Sequence, residues 1–454
     1  MAITAPTRNR MELERVHVGS NPTLSVFRII IFIVLLLLAP VQTFAAAFQL
    51  WEESAEGVGD YHAGAAARGD DASDIFYNPA LMSRFDKPEV SFGAVLVAAG
   101  INFSGNVYGP GSYPSGTPAY ANDVPGDTNN IVPNFHIVWP LSSHWAIGFE
   151  ETTPFGLSTE YPTTTFDAAD PNTYTGLLAT ETQLQTVNLN PSVSYAFNNI
   201  ISVGAGFDAL HGEAIYDDTL YYANITNELS GWAYGYNAGI LAQFSKHTRL
   251  GLSYRSAMTI DGAGPSALTL GTQTTSSTVS AQFPLPATTM LSLYQDITHR
   301  LALMASVFYT QWSCFDVLTM HNIAYSPSPI TLATNENYRN TWNESIGALY
   351  YITRTIGIET GFGHDETPTQ YDYRDIRLPD NNHYAASLGF IIKPSDRFRW
   401  TMGWTHFFIN PSQVNNSLSY NASQSVGVSL PPAVGIGSVD ADVNVFGMQI
   451  TFVL

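Results

Sequence analysis

The chain has 454 residues, 45% of them hydrophobic, 13% aromatic and only 12% charged, with a formal net charge of −20. That acidity argues against a nucleic-acid partner, since phosphate backbones are bound by clustered Lys and Arg. The charged share is about half that of an ordinary soluble domain, while 24 Tyr, 25 Phe and 8 Trp suit the aromatic girdles of a membrane barrel. Cys314 is the single cysteine, so an intramolecular disulfide is excluded and Cys314 reads as a small packing residue.

Residues 1–45 read as a cleaved export signal. Arg8, Arg10, Arg15 and Arg28 form a basic region, Ile29 to Leu38 is an unbroken apolar run, and small residues follow at Ala45, Ala46 and Ala47. Cleavage is expected after Ala45. The competing reading is an uncleaved anchor, but the apolar run is too short to span a bilayer as a helix. Removing the signal takes away four Arg and two Glu and leaves 14 basic against 36 acidic residues. Beyond residue 45 no apolar run is long enough for a membrane helix.

Residues 46–88 do not alternate. They are rich in Gly and Ala and carry Asp70, Asp71 and Asp74, a density of charge that a lipid-facing strand could not hold. Such a segment in front of a barrel suggests a plug inside it, and a plug implies controlled passage. The three Asp are expected to bond plug backbone or pair with Arg68 and Arg84 rather than hold a metal.

From residue 89 to 454 period-2 alternation dominates. Leu301, Leu303, Ala305, Val307 and Tyr309 share one parity, as do Leu250, Leu252 and Tyr254. Short polar turns fall near Ser142-Ser143, Asn198-Asn199, Lys246-His247, Asp296-Thr298, Thr353-Arg354 and Pro394-Asp396. Long loops cover 105–130, 158–180, 218–231, 261–276, 320–338, 367–380 and 410–437. Short and long connections in alternation are the asymmetry of an outer-membrane barrel. The fold class is therefore all-β: a transmembrane antiparallel β-barrel of about fourteen strands with an N-terminal hatch in its lumen. The last strand, with Phe446, Met448, Ile450, Phe452 and Leu454 on one parity, is similar to the signal read by the barrel assembly machinery.

The third wall strand, near 144–161, is interrupted by Thr153, Pro154, Phe155 and Gly156. Pro154 has no N–H for the ladder and Gly156 weakens a strand. An unpaired carbonyl facing lipid would cost several kcal/mol, so the strand either kinks inward, opening a gap for sideways exit, or these residues lie in its external extension above the membrane.

AFQLWEESAEGVGDYHAGAAARGDDASDIFYNPAL, VPNFHIVWPL, LGLSYRS, FYTQWSCF and WNESIGALYY, in that order, resemble the FadL/TodX-type outer-membrane transporters of long-chain fatty acids and hydrocarbons. The resemblance implies capture of a hydrophobic small molecule among external loops, rearrangement of the hatch, and lateral exit into the outer membrane beside the kinked third strand. It implies that Phe48, with Leu50 beside it, lines the pocket, that Asn78, Pro79 and Ala80 belong to the gate, and that Thr153 to Gly156 form the exit kink. It also implies a monomer among outer-membrane lipids and lipopolysaccharide, with no cofactor. One departure stands out. Where fatty-acid members carry basic groups, this chain has Glu213, Asp217, Asp218 and Thr319. A carboxylate beside unpaired acids is repelled, which tilts the expected substrate toward a neutral hydrocarbon or ester unless Arg255 or another strand residue substitutes.

No GxSxG, HExxH or CxxC motif is present, so catalysis finds no support. His364-Asp365-Glu366 lacks metal-ligand spacing and reads as a solvated strand end. The alternatives are a general diffusion porin, against which residues 46–88 argue, and an outer-membrane lipid hydrolase.

Overall fold

The computed structural model describes residues 47–108, 113–162, 179–220, 223–419 and 434–454. The expected export signal with its cleavage point, Ala46, and parts of four expected loops lie outside them. The first strands are β1 (Glu89–Tyr108), β2 (Ala119–Pro125), β3 (Thr128–Pro140), β4 (Trp145–Thr152), β5 (Gly156–Glu160), β6 (Ala179–Ala196) and β7 (Ile201–Leu220). Then come β8 (Ala223–Gln243), β9 (Thr248–Arg255), β10 (Met258–Leu270), β11 (Gln273–Leu285), β12 (Thr288–Asp296), β13 (Leu301–Thr310) and β14 (Val317–Ile323). The last are β15 (Ile330–Asn335), β16 (Thr341–Tyr351), β17 (Ile356–Asp365), β18 (His383–Ser395), β19 (Phe398–Ile409), β20 (Ser412–Asn415) and β21 (Val434–Val453).

Antiparallel pairing runs from β1 through β3, β4 with β5, β6, β7, β8 and β9. It continues through β12, β13, β16, β17, β18, β19 and β21 and returns to β1. Counting β4 and β5 as halves of one strand, fourteen strands close the wall. Closure pairs the backbone along all of the circuit but one stretch of the third wall strand, and paired backbone is what lipid demands. Along β21, Phe446, Met448, Ile450 and Phe452 are exposed to the lipid side, while Gln449 and Thr451 between them are buried toward the lumen, the out-and-in alternation of a membrane strand.

Two stretches expected as loops, 218–231 and 261–276, are largely paired. β7 continues onto β8 at Asp218↔Ile225, and β10 and β11 form a hairpin with Leu268↔Thr275. Together with β14 and β15 they build the sheet upward past the short strand β9. Outside lipid no apolar outer face is needed, so Asn, Thr and Ser fill these strands and mimic loop composition. Their inward parity still shows in buried Asn227 and Leu229. Cys314 is exposed rather than packed, because the one-turn 3-10 helix Trp312–Cys314 directs Trp312 inward instead.

The lumen holds the hatch. Helix α1 (Ala55–Asp60) is capped by Ser54, whose hydroxyl accepts the Gly57 N–H at 2.9 Å. The 3-10 helix Ala72–Phe76 starts at Asp71, which forms a capping box with Asp74. A second 3-10 helix spans Pro79–Arg84. Arg68 is buried at the centre, 2.5 Å from Glu56, 2.7 Å from Asp60 and 3.1 Å from Glu359 on β17. Asp70 lies 3.9 Å from both Arg68 and Arg84, Asp74 accepts the Asp70 and Asp71 N–H groups, and Asp71 pairs with Arg399 at 3.0 Å. The acidic run therefore fastens the hatch to itself and to the wall. Among the described residues no group of acids, His or Cys is placed to hold a metal.

Candidate functional site: a patched break in the wall and the cavity beside it

The third wall strand breaks at the residues where the sequence places a kink. β4 follows β3 as far as Phe135↔Glu151 and β6 as far as Thr152↔Asn188. Pairing resumes at Gly156↔Gln185, so Thr153, Pro154 and Phe155 oppose only Thr186 and Val187. This is a bulge. It comes after the eight residues of β4, within the roughly 9–11 that a strand needs to cross a membrane. Beyond it β5 pairs with β6 but has no ladder with β3 among the described residues. Thr128 Oγ1 donating to the Ser158 carbonyl at 3.1 Å spans that side.

The hatch supplies what the ladder lacks. The Leu50 N–H donates to the Pro154 carbonyl at 2.9 Å, and the Gly156 N–H donates to the Phe48 carbonyl at 2.9 Å. The Thr153 N–H donates to the Glu53 carboxylate at 3.0 Å. The Phe155 N–H donates to Thr186 Oγ1 at 3.2 Å, and that hydroxyl donates back to the Phe155 carbonyl at 2.7 Å. Phe155 is 2% exposed and Thr153 8%. A proline inside a membrane wall is thus tolerated because a segment from the lumen acts as its partner strand. Gly156 has a second role: a Cβ there would come 2.8 Å from Leu50 Cδ1, so a side chain would push the hatch segment away.

Phe48, Leu50 and residues 153–156, read separately in the sequence, therefore form one contact. Leu50 packs at the kink, whereas Phe48 reaches the cavity described below. Asn78, Pro79 and Ala80 lie against β7 and β8. Asn78 Oδ1 accepts the Ala80 N–H at 2.9 Å, and its Nδ2 donates to the Ala66 carbonyl at 2.7 Å and the Ile240 carbonyl at 3.2 Å. Ala80 is fully buried, with its carbonyl accepting from Ser83 at 2.9 Å. Gly204 and Gly239 on the wall let this turn sit flush, since a Cβ at either would strike it. The motif clamps the hatch to the wall at β7 and β8.

Beside the break lies a partly open cavity. Phe48 projects into its apolar side, its ring centroid 4.6 Å from that of Trp312 and 5.5 Å from that of Phe315. Leu184, Leu318 and Tyr338 also line it. Its polar rim comes from the connection between β17 and β18 and from Glu336. Arg377 lies 3.7 Å over the Tyr216 ring, donates to Thr182 Oγ1 at 2.7 Å and pairs with Asp218. Arg374 donates to Thr369 Oγ1 at 2.9 Å and to the Gln413 carbonyl at 3.0 Å. No carboxylate lies within ion-pair distance of it among the described residues. Burial, with Asp375 nearby, pushes the Glu336 carboxyl up to about 8, with Arg377 opposing.

These cations change the expectation of an acidic pocket. Glu213 points away and is exposed, Asp218 is neutralised by Arg377, and Thr319 does not line the cavity. Arg255 lies deeper, paired with Asp208 and with Glu150 at 3.3 Å. Sequence reading missed Arg374, Arg377 and Glu336, and also missed Glu53 and Thr186 as partners of the break. Two Arg four residues apart, counted inclusively, in an otherwise basic-poor chain were the available signal. The cluster at His364 is no solvated strand end: Asp365 is buried, 3.9 Å from His383, and Glu366 accepts the Trp342 N–H at 2.8 Å.

Residues 36–453 match the family described as outer membrane protein transport protein (OMPP1/FadL/TodX). A long-chain fatty acid transport protein of Escherichia coli O6:H1 (strain CFT073) is 30% identical over 432 residues, covering 86% of this chain and 90% of that protein. A Pseudomonas aeruginosa FadL homologue shares the fold with a TM-score of 0.76 at 21% identity, over 89% of this chain and 99% of that one. The Ralstonia pickettii toluene transporter TbuX does so with a TM-score of 0.66 at 15% identity, over 89% and 100%. A closed barrel, a filled lumen and a family match over nearly the whole chain agree: this protein belongs to the OMPP1/FadL/TodX family of outer-membrane transport proteins.

Proposed function

We propose that the protein carries hydrophobic molecules, long-chain fatty acids or hydrocarbon-like compounds, from the cell exterior into the outer membrane. The substrate enters the cavity at Phe48, the hatch segment 48–50 shifts, and the molecule leaves sideways past Thr153 to Gly156. The observation that carries this reading is the shared segment. Phe48 lines the cavity and its own carbonyl holds the Gly156 N–H, so a ligand that displaces Phe48 pulls on the patch over the break. Movement in the hatch is then coupled to opening of the wall by covalent continuity. Arg374 offers a place for a carboxylate, and the apolar bulk of the cavity serves an alkyl chain with or without one. The function is passage rather than chemical turnover. A general diffusion porin is not favoured, because the buried hatch fills the lumen. The lipids and lipopolysaccharide around the barrel, the assembly machinery and a monomeric state remain part of this reading.

The test straightens the strand. The double variant Pro154→Val, Gly156→Val should still bind oleate but take it up at least tenfold more slowly, because a continuous β4–β5 closes the exit. Normal uptake with the barrel intact would remove lateral exit here.

A further inference from the structure

A second, smaller cavity lies on the other side of the segment that covers the break. Phe48 lines the outer cavity, and its neighbour Gln49 lines this inner one together with Pro154, Trp51, Phe76, Asn237 and Arg255. The alternation of an extended segment thus places consecutive hatch residues in two compartments, with the bridge Gln49↔Phe155 as the partition. Nearly all polar lining groups of the inner cavity are committed. Gln49 Nε2 donates to Thr288 Oγ1 at 3.1 Å, and its Oε1 accepts from Thr310 at 3.3 Å. Arg255 pairs with Asp208 and Glu150 and donates to the Phe76 carbonyl at 3.1 Å. Asn237 is the exception: it is 4% exposed, and neither its Oδ1 nor its Nδ2 has a hydrogen-bond partner. Asn190, which lies with Asn237 over Gly206, donates instead to Asp208 at 2.8 Å.

We propose that this inner cavity is a binding station for a small uncharged ligand of the phenol class, its ring among Trp51, Phe76 and Met290 and its hydroxyl on the Asn237 amide. A buried amide left unpaired is costly, and a ligand that offers both a donor and an acceptor relieves it. An anion is disfavoured because Asp208 and Glu150 already surround the one cation, Arg255. The station rests on the reading that the Phe48 cavity begins the path, and makes the path two-step: any hydrophobe in the outer cavity, hydrogen-bonding ones held again behind the partition.

The test uses the full barrel in lipid nanodiscs with 4-fluorophenol and 4-fluorotoluene as probes, read by fluorine NMR. Asn237→Leu, which keeps the size and removes both polar groups, should weaken 4-fluorophenol about tenfold and 4-fluorotoluene less than twofold. Asn237→Ala should do the same if the Leu variant fails to assemble. Equal 4-fluorophenol affinity in parent and Asn237→Ala, or no bound resonance in the parent, overturns the station. Oleate binding unaffected by Phe48→Ala would instead overturn the outer path, whatever the Asn237 variants show.

Discussion

Along the β1–β21 seam the sheet closes through unbroken pairing from Glu89↔Val453 to Tyr108↔Val434, whereas at the third wall strand the ladder stops at Thr152 and a segment of the hatch takes over. Both solutions satisfy the backbone in lipid, as they must. They differ in what holds them. The seam depends on two long strands whose pairs reinforce one another, and opening one pair means opening its neighbours. The patch depends on two backbone bonds from Phe48 and Leu50, one carboxylate and one threonine. A wall made only of the first kind is a closed container. The second kind puts an element able to move at a fixed place in an otherwise rigid sheet.

The largest expected effect breaks the patch and leaves the seam. Arg68 holds Glu56, Asp60 and the wall residue Glu359, and removing a buried ion's partner costs about 3–5 kcal/mol. Arg68→Leu should therefore loosen the hatch as a unit. In hydrogen exchange, amides of residues 47–60 and 150–160 should lose protection at least a hundredfold, while amides of 89–108 stay protected. Equal loss in both regions would mean that hatch and wall unfold together and that the patch opens no more easily than the seam.

The comparison also separates what the sequence shows from what it hides. The seam was legible because lipid imposes parity: Phe446 to Leu454 can face only one way. The break was legible from Pro154 and Gly156, since proline leaves its mark on any ladder. What covers the break was not, because the Leu50–Pro154 bond joins backbones a hundred residues apart and leaves no side-chain pattern. The cavity's cations were hidden for the same reason. Arg377 meets Asp218 across 159 residues, so Asp218 looked unpaired and the pocket looked acidic. Above the membrane, the pairing of 261–276 escaped notice because parity is written in polar residues there.

Smaller effects ask whether the outer cavity selects as the patch opens. Arg374 is bound only to neutral groups, so its charge is available to a ligand. Arg374→Leu should weaken palmitate about tenfold, in line with about 1.5–3 kcal/mol for a charged hydrogen bond less what water recovers, and leave hexadecane unchanged by equilibrium binding. Equal loss for both ligands would mean that Arg374 only shapes the loop.

The smallest effect is a pH dependence set by Glu336, whose carboxyl is pushed up to about 8. A raised acid is neutral below its folded value and charged above it. The cavity therefore gains a negative charge as pH rises through about 8, and affinity for an anion, full below that value, should fall severalfold by pH 9.5. Hexadecanesulfonate is the suitable ligand, because its own charge does not change over that range. Hexadecane affinity should be flat across it, and Glu336→Gln should flatten the sulfonate curve while keeping its low-pH affinity. A sulfonate curve that still falls in the Gln variant would assign the titration to another group. One that is flat in the parent would mean that Glu336 is already charged at neutral pH, and the cavity would then discriminate against anions, as the acidic stretch at 213–218 first suggested.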